Sequence, residues 1–221
     1  VIKKNDFLVR LTAQEKEIYK DIAFKLNFQK NNIIFANGDQ PDYVYLIESG
    51  LVKIYRLNSD GDAITVAIRH SGELFGLAEA VLDEPRKCFA QAIDNASLLA
   101  VKNNDWKTIL KTMPELSLKV NRMLALRLRR AEEIIYDLIT YNVSGRLASL
   151  LLHLQDQCGC QTIDGIVLNI KLTHSEIAAI IGSTRQSVTQ ILNEFKDEGV
   201  IKINDKKIIV TNKNKLQSKI Y

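Results

Sequence analysis

The stretch THSEIAAIIGSTRQSVTQILNEF, residues 173–195, reads as two short helices around a tight turn, and the rest of the chain reads most simply as machinery for positioning it. Thr173 can accept from the backbone N–H of Glu176 while the Glu176 side chain reaches back, a capping box that opens the first helix. Gly182 closes that helix, because the left-handed position after a helix favours a residue without a Cβ. Ser183, with Gln186 three residues on, is a second start signal. Val188, Ile191, Leu192 and Phe195 then fall on one face. Small Ala178, turn-forming Gly182 and apolar Val188 suit two helices crossing at close range. A plain helical hairpin would share these features. Arg185 and Gln186 near the N-terminal end of a groove-sized helix favour a DNA-reading helix-turn-helix instead.

Working outward, 221 residues suffice for two modest domains, each with its own core. A formal charge of +4 neither demands nor excludes nucleic acid, so a binding surface must come from local clustering. No apolar run approaches the roughly 20 residues of a membrane span, and VIKKNDFLVRL lacks the apolar core and small-residue site of a secretory signal. No membrane partner and a cytoplasmic location are expected. Cys88, Cys158 and Cys160 make neither a disulfide framework nor a tetrahedral metal site, and the C-x-C pair reads as a loop with two thiols.

Thr12 and Glu15 predict a short helix over residues 13–24, with Ile18, Ile22 and Ala23 toward a core. Then the period changes to two. NIIFA, YVYLIES, LVKIYRL, AITVAIR, CFAQAI and SLLAVK read as short strands, separated by turn signals at residues 37–39, 49–50, 59–62, 71–72 and 94–95. That pattern predicts an antiparallel sandwich or barrel. Asn104 opens another helix, and Pro114 starts a much longer one running to about residue 141. In it Leu124, Leu128, Ala131, Ile135 and Leu138 repeat at spacings of 4, 3, 4 and 3, a heptad seam suited to a second copy. Leu116, Val120, Met123 and Ile134 lie opposite and are placed to pack on the strands. One broad face buried within a single chain is the alternative, but a helix apolar on two sides needs two partners.

Residues 141–144 read as a hinge, with Ser144 capping a helix whose Leu147, Leu150, Leu151 and Leu154 face inward. Residues 158–165 read as a polar loop and residues 166–172 as a strand. VIKIN and KIIVT form a hairpin around Asp205, Lys206 and Lys207, completing a winged helix. From Thr173 onward eight basic residues oppose five acidic ones, most of the excess lying in the wing and tail, where lysines suit phosphates.

Gly38, Gly50, Gly61, Gly72 and Gly76, at spacings of 12, 11, 11 and 4, resemble the corners of the cyclic-nucleotide-binding jelly roll of the bacterial Crp/Fnr regulators. The resemblance runs from about residue 24 to about residue 211 and includes V-S-G-R at residues 143–146. It implies an α+β fold: an N-terminal double-stranded β-helix or jelly roll that binds an effector (1–113), a long dimerisation helix (114–141) and a C-terminal winged helix-turn-helix (142–221). It places Arg185, Gln186, Thr189 and Gln190 in the major groove, Arg185 on a guanine edge and Gln186 on adenine. Gln186 replaces an acidic residue and Gln190 an arginine usual in Crp and Fnr readers, so the half-site should differ from theirs. Thr173 and Thr184 are expected as caps or phosphate contacts, and Lys206 and Lys207 as phosphate contacts. A homodimer on an inverted-repeat site follows, and residues 158–165 match a region that can touch RNA polymerase.

The segment GLAEAVLDEPRKC, residues 76–88, resembles the family's phosphate-binding cassette, giving Gly76, Leu77, Glu79, Arg86, Lys87 and Cys88 as effector-site residues, with Ala131 and Glu132 from the long helix. Arg86 or Lys87 would neutralise an anion. Leu77 stands where an acidic residue would grip a ribose, Glu79 arrives two positions late, and Ala131 and Glu132 replace the hydroxyl pair that would meet adenine. These departures argue against cyclic AMP and for a different small anion or hydrophobic ligand. An Fnr-type iron–sulfur cluster needs four thiolates and is excluded. A haem-based gas sensor is the alternative, with His70, His153, His174, Met113, Met123 and Cys88 as formal axial ligands. A regulatory subunit without DNA binding is a further one, disfavoured because no catalytic or membrane partner lies in the chain. No nucleophile–base pair, metal motif or phosphate-cradling loop suggests an enzyme.

Overall fold

A computed structural model describes residues 7–204 and 207–220. The described residues form two compact units that divide between Arg127 and Leu128. The first begins with α1 (Phe7–Arg10) and α2 (Ala13–Ile22), whose Thr12–Glu15 capping box forms as expected. Strands β1 (Ala23–Phe28), β2 (Ile33–Phe35), β3 (Tyr43–Ser49), β4 (Leu51–Leu57), β5 (Ala63–His70) and β6 (Leu74–Phe75) follow. After α3 (Leu77–Leu82) come β7 (Phe89–Ala92), β8 (Ala96–Lys102), α4 (Asn103–Thr112) and the long helix α5 (Pro114–Thr140), which crosses into the second unit.

Two four-stranded sheets, ordered β1-β8-β3-β6 and β2-β7-β4-β5 with every pair antiparallel, make the jelly roll. The alternation of β3 explains how one strand serves two cores. Tyr45 and Ile47 enter a core with Phe35, Phe75 and Leu98, while Val44 and Leu46 enter another with Trp106, Leu116 and Val120. Met123 packs against that second core, as expected of one flank of α5. Small Ala90, Ala92, Ala96 and Ala100 leave room in the first core for the rings. The five corner glycines all take positive φ, and at Gly50 an added Cβ would lie 2.5 Å from the Asn95 carbonyl oxygen.

The second unit holds the end of α5, then α6 (Val143–Cys158), β9 (Gly159–Thr162), β10 (Gly165–Leu168), α7 (His174–Ile181), α8 (Arg185–Asp197), β11 (Ile201–Asn204), β12 (Lys207–Val210) and α9 (Lys213–Gln217). Leu147, Leu151, Leu168, Ile177, Val188, Leu192, Phe195 and Ile201 are buried there. A sheet ordered β11-β12-β10-β9 forms the wing. The fold is the expected jelly roll, long helix and winged helix-turn-helix.

Several local expectations need correction. The helix expected to reach residue 24 stops at Ile22, because Ala23 through Phe28 pair along their whole length with β8. The expected polar loop at 158–165 is the end of α6 and a hairpin, β9 pairing with β10 from Gly159↔Leu168 to Thr162↔Gly165. The strand expected over 166–172 ends at Leu168. Asn142, not Ser144, caps α6, accepting from the Gly145 N–H at 2.9 Å. Thr184, not Ser183, caps α8. Neighbouring cap-forming residues differ little in local preference, and the path of the incoming chain selects one.

Candidate nucleic-acid interface and effector cassette

In α7 the Thr173 hydroxyl accepts from the Glu176 N–H at 3.2 Å, and the Glu176 carboxylate accepts from the Thr173 N–H at 2.7 Å. Gly182, at φ 63° and ψ 53°, terminates the helix and turns the chain. The Thr184 hydroxyl then accepts from the Ser187 N–H at 3.1 Å, fixing the start of α8. Thr173 and Thr184 thus both serve as caps. Burial of Val188, Ile191, Leu192 and Phe195 sets the rotation of α8. Arg185, Gln186, Thr189, Gln190 and Asn193 consequently line one open hollow on its outer face. Asn193 escaped the sequence reading although it follows Thr189 by four residues, one helical turn.

Two side chains on this face are held by neighbours. The Thr189 hydroxyl donates to the Arg185 carbonyl at 2.8 Å and lies 2.8 Å from His174 Nδ1. Gln190 Nε2 donates to the Glu194 carboxylate at 3.0 Å. Behind the turn, Arg146 donates from Nε to the Ile181 carbonyl (2.8 Å), from Nη1 to that of Tyr141 (3.0 Å) and from Nη2 to that of Gly182 (3.2 Å). A cation on the last carbonyls of α7 satisfies orphan acceptors and suits the negative end of its dipole. Sequence reading noted V-S-G-R without giving Arg146 this task, because its partners in the turn, Ile181 and Gly182, lie 35 and 36 residues away. In the wing, Lys207 Nζ reaches Asn169 Oδ1 at 3.5 Å, while Lys206 lies outside the described residues.

Gly76 heads the cassette at φ 74°, with no side-chain cap on α3. Leu77 is buried in the core with Trp106. The Arg86 side chain is only 1% exposed. Its Nη1 donates to the Gly76 carbonyl at 2.8 Å and approaches Glu79 Oε2 at 3.4 Å, and Nη2 donates to the Tyr43 carbonyl. The guanidinium lies 4.3 Å from the centroid of Phe35, whose ring belongs to a stack with Tyr45 and Phe75. Burial, opposed by the nearby Arg86 charge, pushes the Tyr45 phenol up to about 12. The Arg86 backbone is pinned as well, its N–H donating to the Asp39 carbonyl and its carbonyl accepting from the Gly38 N–H, each at 2.8 Å.

Lys87 is exposed and pairs with Glu84 at 3.1 Å. Of the two candidate anion-neutralising cations, one is therefore committed inside the protein and the other stands in solvent. Burial, reinforced by the Glu79 charge, pushes the Cys88 thiol up to about 11, so the thiolate form is suppressed at neutral pH. Ala131 and Glu132 are exposed on α5 in the other compact unit. Among the residues named as axial ligands, Met113 and Met123 pack on the Trp106 core, His70 Nδ1 lies 2.9 Å from the Ser71 carbonyl, and His174 meets Thr189. Cys158 Sγ donates to the Leu154 carbonyl at 3.1 Å.

Seam residues Leu124, Leu128, Ala131, Ile135 and Leu138 stand exposed on α5, Leu128 at 63% and Ile135 at 57%. Tyr136 and Ile139 extend the apolar surface. Among the described residues no helix is long and apolar enough to cross a membrane.

Residues 25–113 match the family model of the cyclic nucleotide-binding domain, and residues 145–219 match that of the Crp-like helix-turn-helix domain. The global nitrogen regulator of Nostoc sp. is 35% identical over 185 residues, covering 83% of this chain and 83% of its own. The CRP-like cAMP-activated global transcriptional regulator of Mycobacterium tuberculosis is 30% identical over 191 residues, covering 86% of this chain and 85% of its own. A solved CRP/FNR-family transcriptional regulator from Thermus thermophilus matches with a TM-score of 0.72 at 28% identity, over 89% of this chain and 98% of its own.

Proposed function

Because the chain belongs to the Crp/Fnr family of DNA-binding transcription regulators, we propose that it acts as a homodimer, reads an inverted repeat through α8, and answers to a small effector other than cyclic AMP. The observation that carries the reading is the division of labour on α8. Its inner stripe is buried, while Arg185, Gln186, Thr189 and Gln190 share one open outer face. Arg185 offers a fork of donors to guanine O6 and N7, and Gln186 can pair with adenine N6 and N7. The positive N-terminal end of α8, capped by Thr184, suits a phosphate, and Thr173 together with the wing lysines Lys206 and Lys207 would add further backbone contacts. The exposed apolar seam of α5 supplies a self-complementary surface, and two-fold pairing implies half-sites about one helical turn apart.

The cassette supports an effector unlike cyclic AMP. The Mycobacterium tuberculosis relative is described as cAMP-activated. Here, however, Leu77 is buried in the core and the Arg86 charge is answered by Glu79 and two carbonyls, so the groups that would hold a ribose and a phosphate are missing or occupied. The β9–β10 hairpin, with Ile163 fully exposed at its tip, is the surface by which RNA polymerase would be met.

The test is selection from random duplex DNA with the full chain, followed by the mass of the complex. A palindrome bound by two chains is expected. Enrichment of no sequence, or one chain per site, would overturn the reading.

A further inference from the structure

The reading face of α8 contains one side chain whose two branches have been assigned different tasks by the fold. Thr189 sits in its middle, one turn after Arg185 and one turn before Asn193. A threonine hydroxyl has a single proton, and here that proton goes to the Arg185 carbonyl at 2.8 Å. His174 Nδ1 lies 2.8 Å from the same oxygen. With the hydroxyl proton already spent, this second contact requires Nδ1 to carry hydrogen and the oxygen to accept. The two bonds approach from different elements, one along α8 and one from the first turn of α7.

The consequences are geometric. A β-branched side chain in a helix has few staggered positions, and fixing Oγ1 fixes Cγ2 with it. The oxygen has no proton to give a base, and its direction is set by two protein partners. The methyl is the branch without a hydrogen-bonding task, and on a residue that lines the open hollow it can meet the groove. Among base edges in the major groove, only thymine presents a methyl group.

We infer that Thr189 determines specificity through its methyl group, by apolar contact with the C5-methyl of one thymine in each half-site, and that its hydroxyl reads no base. The inference rests on the assignment of α8 as the groove helix and adds a named base to it.

Replacing thymine by uracil removes only the C5-methyl, so the test is a uracil scan of the selected palindrome with the wild-type full chain, Thr189→Val and Thr189→Ser. One thymine per half-site is expected at which uracil weakens wild-type binding about four-fold, or roughly fifteen-fold with both half-sites changed, as burial of one methyl each would give. Thr189→Val should keep this sensitivity and near wild-type affinity. Thr189→Ser should bind the thymine and uracil duplexes alike. Uracil without effect at every position, or affinity lost in Thr189→Val but kept in Thr189→Ser, overturns the inference while leaving DNA reading by α8 intact. Failure to select any site overturns both. The scan of the wild-type chain alone can overturn the inference even if a variant folds poorly, and either folded variant suffices to assign the methyl contact to Thr189.

Discussion

Leu128→Ala tests the seam of α5 most directly, because Leu128 is the most exposed of its large residues at 63%. For a leucine this leaves about 110 Å2 open, and truncation to alanine would remove roughly 70 Å2 of what a partner can cover. A two-fold interface counts each loss twice, so about 140 Å2 at ~25 cal/mol/Å2 gives ~3.5 kcal/mol, or roughly 300-fold weaker dimerisation. Sedimentation equilibrium over a wide concentration range reads this as a displaced monomer–dimer curve. Leu126→Ala is the control. Leu126 is also exposed on α5, yet two residues past Leu124 it falls off the heptad stripe, so its curve should superimpose on that of the wild type. Loss of palindrome affinity should track the mass, since a monomer holds one half-site. A wild type that stays monomeric at high concentration, a Leu128→Ala curve identical to wild type, or equal damage from Leu126→Ala would each refute the seam.

Saturating cyclic AMP is expected to leave the melting curve unchanged, whereas a ligand at 100 times its Kd would add about 2.7 kcal/mol. A clear upward shift would reverse the effector reading. Arg185→Ala should cost about 1 to 3 kcal/mol on the selected site and relax discrimination at one base pair, judged by competition with random duplex, where the loss should be smaller. Burial works to raise the Glu15 carboxyl, but hydrogen bonds and charge from Lys119, with Thr12 at the cap, hold it below the usual carboxylate range. A depressed carboxylate stabilises above its unfolded pKa and loses that contribution as pH falls through its folded one. Lys119→Met should therefore cost about 1 to 2 kcal/mol at pH 7 by urea unfolding, with the difference shrinking in acid. Gly182→Ala should destabilise by about 1 kcal/mol through its positive φ, since the new Cβ would be 3.4 Å from Leu138, an ordinary contact, and Gly182→Asn should recover most of the loss.

What the sequence revealed was whatever leaves a local mark. Glycine at a positive-φ corner, a threonine three residues before a glutamate, and apolar residues at 4-3-4-3 spacing each state a backbone or packing requirement within one turn. Hence the corners, the caps of α2 and α7 and the apolar stripe that α5 leaves exposed were legible. Strand β1 was not, because Ala23, four residues after Tyr19, continues the helical apolar period of α2 and only the long-range pairing with β8 decides against it. The site followed the same rule. Position on α8 is periodic and could be read; the direction of a polar group is not. Nothing in GLAEAVLDEPRKC says that Arg86 turns inward onto Phe35, since charge is written in the sequence and its neutralising partner is supplied by the fold. Likewise His174 and Thr189 meet across 15 residues, and Arg146 reaches Ile181 across 35.

Those non-local bonds bear on how reading and pairing are joined. Arg146 links the carbonyl of Tyr141, just past α5, to the carbonyls of Ile181 and Gly182 in the turn before α8, and the Ser149 hydroxyl donates to Asp137 on α5 itself. The chain breaks its helix at Tyr141 and Asn142, where a hinge was expected, yet this break is bridged on both sides by hydrogen bonds. Leu138 also lies against Gly182, 3.4 Å from where its Cβ would be. The last turns of α5 and the helix-turn-helix are thus one mechanical body, within a compact unit that also contains Leu128 and Ile135. A dimer formed on that seam would set the distance between its two reading helices inside this unit. If the proposed dimer forms on that seam, a change in how α5 meets its twin would be expected to reach the helix-turn-helix without a flexible joint at the 141–142 break.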